Sequence, residues 1–125
     1  MSDPANPQDW IEKAEEDYKL ALSSLRRKKP LTYGATFHAQ QCAEKCLKAL
    51  LVFRQQSVPK THDLIALHTF CLQVGIIVPV NTQILQRLSI YSAKARYPGE
   101  DPTVDEAKEA FEIAKDVRKF AKRLL

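Results

Sequence analysis

Apolar residues recur at helical spacing in five stretches of the chain, separated by short polar or proline-containing segments. The longest uninterrupted stretch is 35–53, ATFHAQQCAEKCLKALLVF, which has no Gly or Pro and is rich in residues that favour a helix. One broad face of it is apolar and mostly small, and the other face is mixed. The mixed face contains Phe37, Gln41, Glu44, Lys48, Leu51 and Val52. Because such a helix is usually packed on both sides, we predict that it is the central helix of an all-helical domain.

The first helix should begin at an N-cap, Asn6, and run to about Arg27. Pro30 stops it, and a short loop through Gly34 leads into the central helix. The short loop predicts that these two helices form an antiparallel hairpin.

A shorter third helix follows, with Thr61 or Asp63 as its N-cap and Gly75 at its C-terminal end. The next segment, 76–80, is β-branched and apolar and has the composition of a strand. Pro79 and the absence of a partner strand favour an extended buried connector instead.

The fourth helix should be capped by Asn81 and end before Pro98. Thr103 and Glu106 form a capping-box pair that opens a fifth helix, which continues to the C-terminus. We therefore predict an all-α, up-and-down helical bundle of four long helices plus one shorter helix.

Length and composition agree with one domain, 1–125, in which residues 1–5 form a flexible tail. The formal charge of +4 permits an anionic partner without requiring one. The polar N-terminus is unlike a signal peptide, and no apolar run approaches the length of a membrane span. We therefore expect a cytoplasmic protein without a membrane partner.

The three cysteines, Cys42, Cys46 and Cys71, are better explained as reduced, buried thiols than as metal ligands, because few His or acidic residues lie near them in sequence. We expect no metal and no cofactor. The histidines are scattered, and His68 beside an apolar stripe fits a packed structural role. For His62, a turn residue bonded to local backbone and a ligand-binding role remain equally open.

The strongest candidate for chemistry is 94–98, KARYP, at the C-terminal end of the fourth helix. Lys94 and Arg96 can be interpreted as cations that cap the helix, or as a phosphate clamp in which Arg96 grips oxygens and Tyr97 offers a ring or hydroxyl. Only six residues separate Arg96 from Thr103, so an anion there would also meet the N-terminus of the fifth helix.

Three blocks resemble the HEPN family (higher-eukaryote and prokaryote nucleotide-binding domains) and occur in the family's order. They are FHAQQCAEKCLKALL at 37–51, KTHDL at 60–64 and ARYP at 95–98, and the resemblance spans roughly Trp10 to Leu124. It implies a homodimer whose interface cleft is lined by residues around ARYP, with Lys48 and His62 nearby. The interface residues would come from the mixed face, namely Phe37, Gln41, Glu44 and Leu51.

The resemblance also implies a motif to look for. Many HEPN proteins are metal-independent ribonucleases whose motif is an Arg, then four to six residues of any type, then a His. Arg96 falls at the place of that Arg, but Asp101, Pro102 and Thr103 occupy the positions where the His should be. Since the His is the natural proton-transfer group for attack by a ribose 2′-hydroxyl, the catalytic pair is broken. The resemblance is therefore to a branch that keeps ARYP and lacks the ribonuclease motif.

Three functions remain open from the sequence. The first is a non-catalytic homodimeric HEPN domain that binds a nucleotide, a partner minimal nucleotidyltransferase, or both. The second is a metal-independent RNA-cleaving toxin of a toxin–antitoxin pair, in which Arg96 acts with another base such as His62. The third is a structural dimerisation module. The predicted nucleotide or anion site consists of Lys48, His62, Lys94, Arg96, Tyr97 and Thr103.

Overall fold

Five helices make up the structure, a computed structural model that describes residues 6–125. They are α1 (Pro7–Arg26), α2 (Thr32–Phe53), α3 (Leu64–Gln73), α4 (Thr82–Lys94) and α5 (Val104–Leu124). The described residues contain no strand, and α3 is the shortest of the helices, so the predicted all-α fold is confirmed. The predicted tail, residues 1–5, lies outside the described part of the chain.

Side-chain caps begin four of the helices where the sequence predicted them. Asn6 and Asn81 accept hydrogen bonds from the first turns of α1 and α4. Asp63, and not Thr61, caps α3 by accepting from two backbone N–H groups. Thr103 and Glu106 form the reciprocal capping box of α5.

The central helix starts earlier than predicted, because α2 begins at Thr32 and includes Gly34. A Cβ added to Gly34 would lie 3.1 Å from the hydroxyl oxygen of Ser24 in α1. The prediction of a loop through Gly34 is therefore wrong: the missing side chain allows α1 and α2 to approach closely, and this packing outweighs the poor helix propensity of glycine.

Helix α2 is central, since it packs against each of the other four helices, whereas α1 packs against α2 and α5. Its small side chains are fully buried and admit the neighbouring helices. The three cysteines are buried as free thiols. Burial raises the pKa of Cys71 to about 11, and a hydrogen bond with Cys42 together with burial raises the pKa of Cys46, so these thiols are poor nucleophiles.

The segment 76–80 is an extended connector, as predicted. Ile76, Val78 and Val80 are buried, while Ile77 and Pro79 are exposed. Gly75 precedes it with φ of +83°, a conformation that glycine adopts without strain and that ends α3. Among the described residues, no helix is long and apolar enough to cross a membrane.

Candidate functional site

A line of buried polar residues runs along one side of α2. Thr36, Gln40, Glu44 and Lys48 are each four residues apart and are at most 6% exposed. Side chains at this spacing lie one above another on the same helix face. We call these four residues the polar ridge. Buried polar groups lower stability unless they are paired, so a ridge of four within a packed core indicates a function beyond packing.

The lower part of the polar ridge is held together by one carboxylate. The ammonium group of Lys48 donates to Glu44 at 3.0 Å, and Nδ1 of His62 lies 3.0 and 3.1 Å from its two oxygens. Because an ionised carboxylate only accepts hydrogen bonds, Nδ1 of His62 is the donor. The histidine side chain is 78% exposed, so Nε2 remains available to a ligand.

The upper part of the polar ridge is incompletely paired. Gln40 donates through Nε2 to the backbone carbonyl of His62 at 3.2 Å. Its Oε1 and the hydroxyl of Thr36 are buried and have no hydrogen-bond partner among the described residues. Such groups are rare in native proteins, and a functional role is one of the recognised reasons for them.

A cleft of about 460 Å³ opens beside the polar ridge, between α2, the start of α3 and the end of α4. Its lining residues are Phe37, Gln40, Gln41, Glu44, His62, Asp63, Ser89, Ser92, Ala93 and Arg96. The cleft thus brings Arg96 and His62 together, although 33 intervening positions separate them in the sequence. A phenyl ring, an imidazole, hydroxyls, two carboxylates and a guanidinium meet there, as in sites for small polar ligands.

Arg96 lies in the turn after α4 and its side chain is exposed. Its backbone N–H bonds to Ala93, but its guanidinium makes no hydrogen bond or ion pair with any described residue. A capping role would require bonds from the guanidinium to the last carbonyls of α4. The geometry therefore favours a group that is free to bind an external anion.

Three other residues of the predicted anion site, Lys48, Lys94 and Thr103, do not line this cleft. Lys94 lies 3.4 Å from Glu106, whose carboxylate also accepts the Thr103 backbone N–H at 2.9 Å. That backbone bond, with a smaller contribution from Lys94, holds the pKa of Glu106 below its ordinary value. The Glu106 carboxylate therefore already takes up the Thr103 N–H and the ammonium group of Lys94 at this end of α5. Tyr97 is 62% exposed and also lies outside the cleft lining.

The predicted interface residues divide into two groups. Phe37 and Gln41 are partly exposed and line the cleft. Leu51 is only 1% exposed because it packs in the protomer's own core, so its assignment to an interface is wrong. Glu44 is also buried and is occupied with Lys48 and His62, so its role is internal.

The prediction missed a second buried carboxylate, Asp17 of α1, which is 6% exposed. It binds Nδ1 of His38 at 2.8 Å and the ammonium group of Lys45, and so ties α1 to α2. A signal was present in the sequence: Asp17 lies on the stripe that Ala14 and Ala21 define, where an acid needs a partner. Among the described residues, no three His, Cys, Asp or Glu side chains are grouped as metal ligands would be.

Comparison with known proteins places this arrangement in a family. The model of the HEPN domain matches residues 7–124, so the chain belongs to the HEPN domain family. The chain is similar to the crystal structure of TT1696 from Thermus thermophilus, with a TM-score of 0.72 and 28% identity over 95% of this chain and 98% of that one. It is also similar to the crystal structure of ST0689, described as an archaeal HEPN homologue, with a TM-score of 0.69 and 25% identity over 95% and 97% of the two chains. No curated protein matches the sequence.

Proposed function

We propose that this HEPN domain is a non-catalytic module that binds a nucleotide in the cleft beside the polar ridge. The observation that carries the proposal is the unpaired guanidinium of Arg96 on the wall of a polar cleft. A guanidinium binds phosphate oxygens through a rigid fork of N–H donors. Phe37, on the α2 side of the same cleft, offers a ring face for a base.

The charges in the cleft are compatible with this ligand. Glu44 is neutralised by Lys48, so the buried carboxylate adds little net negative charge. Glu100 and Asp101, which follow Arg96 closely in the sequence, are exposed and do not line the cleft. Asp63 also lines the cleft, and its carboxylate accepts hydrogen bonds from the N–H groups of Ile65 and Ala66 at the start of α3. Arg96 is the guanidinium that a phosphate meets, with His62 on the cleft wall able to donate from Nε2 when protonated.

Replacing Arg96 by alanine should weaken nucleotide binding by about 10- to 100-fold, since hydrogen bonds to charged groups contribute about 1.5–3 kcal/mol. Calorimetric titration with nucleoside mono- and triphosphates at two salt concentrations measures this. Arg87→Ala is the matched control, because Arg87 is exposed on α4, is paired with Glu109 and lies outside the cleft. Equal affinity of Arg96→Ala and wild type would refute the site.

We also propose that the protein is a homodimer and that the apolar surface beside the cleft forms its interface. Phe37 and Ala93 line the cleft. Ile90, which lies three residues before Ala93 on α4, is 52% exposed, and Tyr97, in the turn after α4, is 62% exposed. Apolar and aromatic residues of this kind typically form the centre of a protein interface.

Phe37→Asp should convert the dimer to a monomer, because it places a charge where that interface meets the cleft. Light scattering measures the mass in solution. Leu72→Asp is the control: Leu72 is 53% exposed on α3, away from the cleft lining, and its variant should remain dimeric. A monomeric wild type, or dissociation of both variants alike, would contradict the proposed interface.

The similarity to HEPN proteins also supports a partner protein. We propose a minimal nucleotidyltransferase, encoded in a neighbouring reading frame, and a cytoplasmic location for both. Such pairs include toxin–antitoxin systems. Co-expression and co-purification of the two gene products tests the pairing directly.

A second function, metal-independent RNA cleavage, is favoured by one observation. Glu44 holds Nδ1 of His62 and leaves Nε2 available in the cleft that Arg96 lines. A carboxylate-oriented histidine beside a guanidinium has the parts of a general base and a phosphate stabiliser. Such a pair would cleave RNA only while both side chains are present. Loss of cleavage in a variant of either residue would therefore distinguish catalysis from binding alone.

A further inference from the structure

The excess positive charge of the protein is concentrated in residues 19–29, here called the basic segment. Five of the 19 Lys and Arg residues lie in it, with no acid among them. The other 14 basic residues are set against 15 acidic ones, so the rest of the chain carries a net charge of −1 against +4 for the whole. One short segment therefore accounts for the basic character of the protein.

The cations of the basic segment are exposed and unpaired. They are Lys19, Arg26, Arg27, Lys28 and Lys29. None of them forms an ion pair with a described residue. Of the three acids directly before Lys19 in α1, Asp17 binds His38 and Lys45, and Glu15 binds Arg118 and Lys122. The third, Glu16, is exposed and lines a depression together with Lys19. Glu16 offsets the charge of Lys19 in part, but the repulsion among Arg26, Arg27, Lys28 and Lys29 is not compensated by any ion pair with a described residue, which favours an anionic partner.

The helix dipole explains only a small part of this cluster. Arg26 lies in the last turn of α1, where a cation is stabilised by the partial negative charge of the helix end. Lys19 lies two turns earlier, and Arg27 to Lys29 follow the helix. A shallow depression of about 390 Å³ along α1 is lined by Lys19, Leu22, Ser23, Arg26 and Arg27, so the cations border a common surface.

Exposed apolar side chains lie next to the basic segment, at the start of α2. The backbone N–H of Leu31 donates to Ser24 at 3.0 Å and closes the turn between the helices. Leu31 and Tyr33 are each 49% exposed, and the Tyr33 ring lies 6.1 Å from that of Phe37. Cations followed by an exposed ring are what single-stranded nucleic acid requires, because phosphates bind the charges and a base stacks on the ring.

We propose that the basic segment and Tyr33 bind single-stranded nucleic acid, at a surface that adjoins the nucleotide cleft at Phe37 but does not include Arg96. A lipid surface fits less well, because membrane binding needs an exposed apolar helix face, and the apolar face of α1, with Ile11, Ala14 and Ala21, is buried in the bundle. An acidic protein would satisfy the charges but has no need of the ring. The proposal goes beyond the cleft function and does not depend on Arg96.

Fluorescence anisotropy with a short labelled oligouridylate tests the proposal, at a series of NaCl concentrations. Five phosphate contacts predict a slope of log K against log salt of about −3.5 for a single strand. Arg27→Glu/Lys29→Glu should weaken binding on the order of 10-fold or more and reduce the slope by about 1.4. Lys119→Glu/Arg123→Glu is the control of equal charge change, since both residues are exposed and unpaired near the end of α5.

Tyr33→Ala should weaken binding on the order of 10-fold, and Tyr33→Phe should restore it, because stacking needs the ring and not the hydroxyl. The Arg27→Glu/Lys29→Glu variant should bind a mononucleotide as wild type does, which separates the cations of this surface from the cleft. Absence of binding, equal losses in the two double variants, or an unaffected Tyr33→Ala overturns the proposal. Tighter binding of polyglutamate or of phosphatidylserine vesicles than of oligouridylate also overturns it. Circular dichroism checks that each variant is folded.

Discussion

Replacing Glu44 by alanine is expected to lower the free energy of unfolding by about 3–5 kcal/mol. Glu44 is 3% exposed and accepts hydrogen bonds from both Lys48 and His62. Without it, Lys48, which is 6% exposed, remains a buried cation with no anionic partner. A loss of this size is a large fraction of the stability of a small domain. Urea denaturation followed by circular dichroism measures it.

Two controls show whether the loss comes from the unpaired charge. Glu44→Ala/Lys48→Ala removes both charges, so it should be less destabilising than the sum of the two single variants, with a coupling of about 0.5–3 kcal/mol. Glu16→Ala, at an exposed acid of α1 without an ion pair, should change stability by less than about 0.5 kcal/mol. A single variant as stable as wild type, with no coupling to Lys48, would contradict the role given to Glu44.

We expect that the protein does not cleave single-stranded RNA. Any residual cleavage should be slower than that of a HEPN ribonuclease with a complete motif, by a factor on the order of 10²–10⁴. The reason is the missing proton-transfer group: Pro102 is buried, Thr103 caps α5 and Asp101 is exposed outside the cleft. Incubation of end-labelled RNA with excess protein, in EDTA, measures the rate.

Arg96→Ala and His62→Gln are the decisive variants in that assay. Robust cleavage by wild type that both variants abolish would contradict a binding-only function and would establish the pair of His62 and Arg96 as catalytic. Cleavage that survives in both variants would come from a different site or a contaminant. The same two variants in the nucleotide titration show whether binding and cleavage share the cleft.

Local chemistry was sufficient to predict the fold. Caps such as Asp63, Asn81 and Thr103 act within one turn of the chain, so their effect can be predicted without knowledge of any tertiary contact. The early start of α2 could not be predicted in this way, because the close approach of Gly34 to Ser24 of the preceding helix is a tertiary feature. The predicted start of α2 was wrong because packing determines it, since no side chain caps this end of the helix.

The candidate site was only partly predictable. Arg96 stood out because it ends a helix before a rigid turn, and its unpaired side chain on the cleft wall agrees with a role in binding. Lys94 stood out for the same reason, yet it is held by Glu106. The sequence does not distinguish two cations at the same helix end. The structure does, because Glu106 at the start of α5 pairs with Lys94 and leaves Arg96 unpaired.

The sequence by itself determined an all-helical bundle with a central α2, because helical periodicity and capping are local properties of the chain. The tertiary structure alone decided which polar residues of α2 are buried together. Thr36 and Gln40 look like ordinary helix residues until the bundle packs around them, and Leu51 looks exposed until the core closes over it. His62 and Arg96 meet in one cleft because α3 and α4 fold back on α2, and no spacing within the chain records that approach.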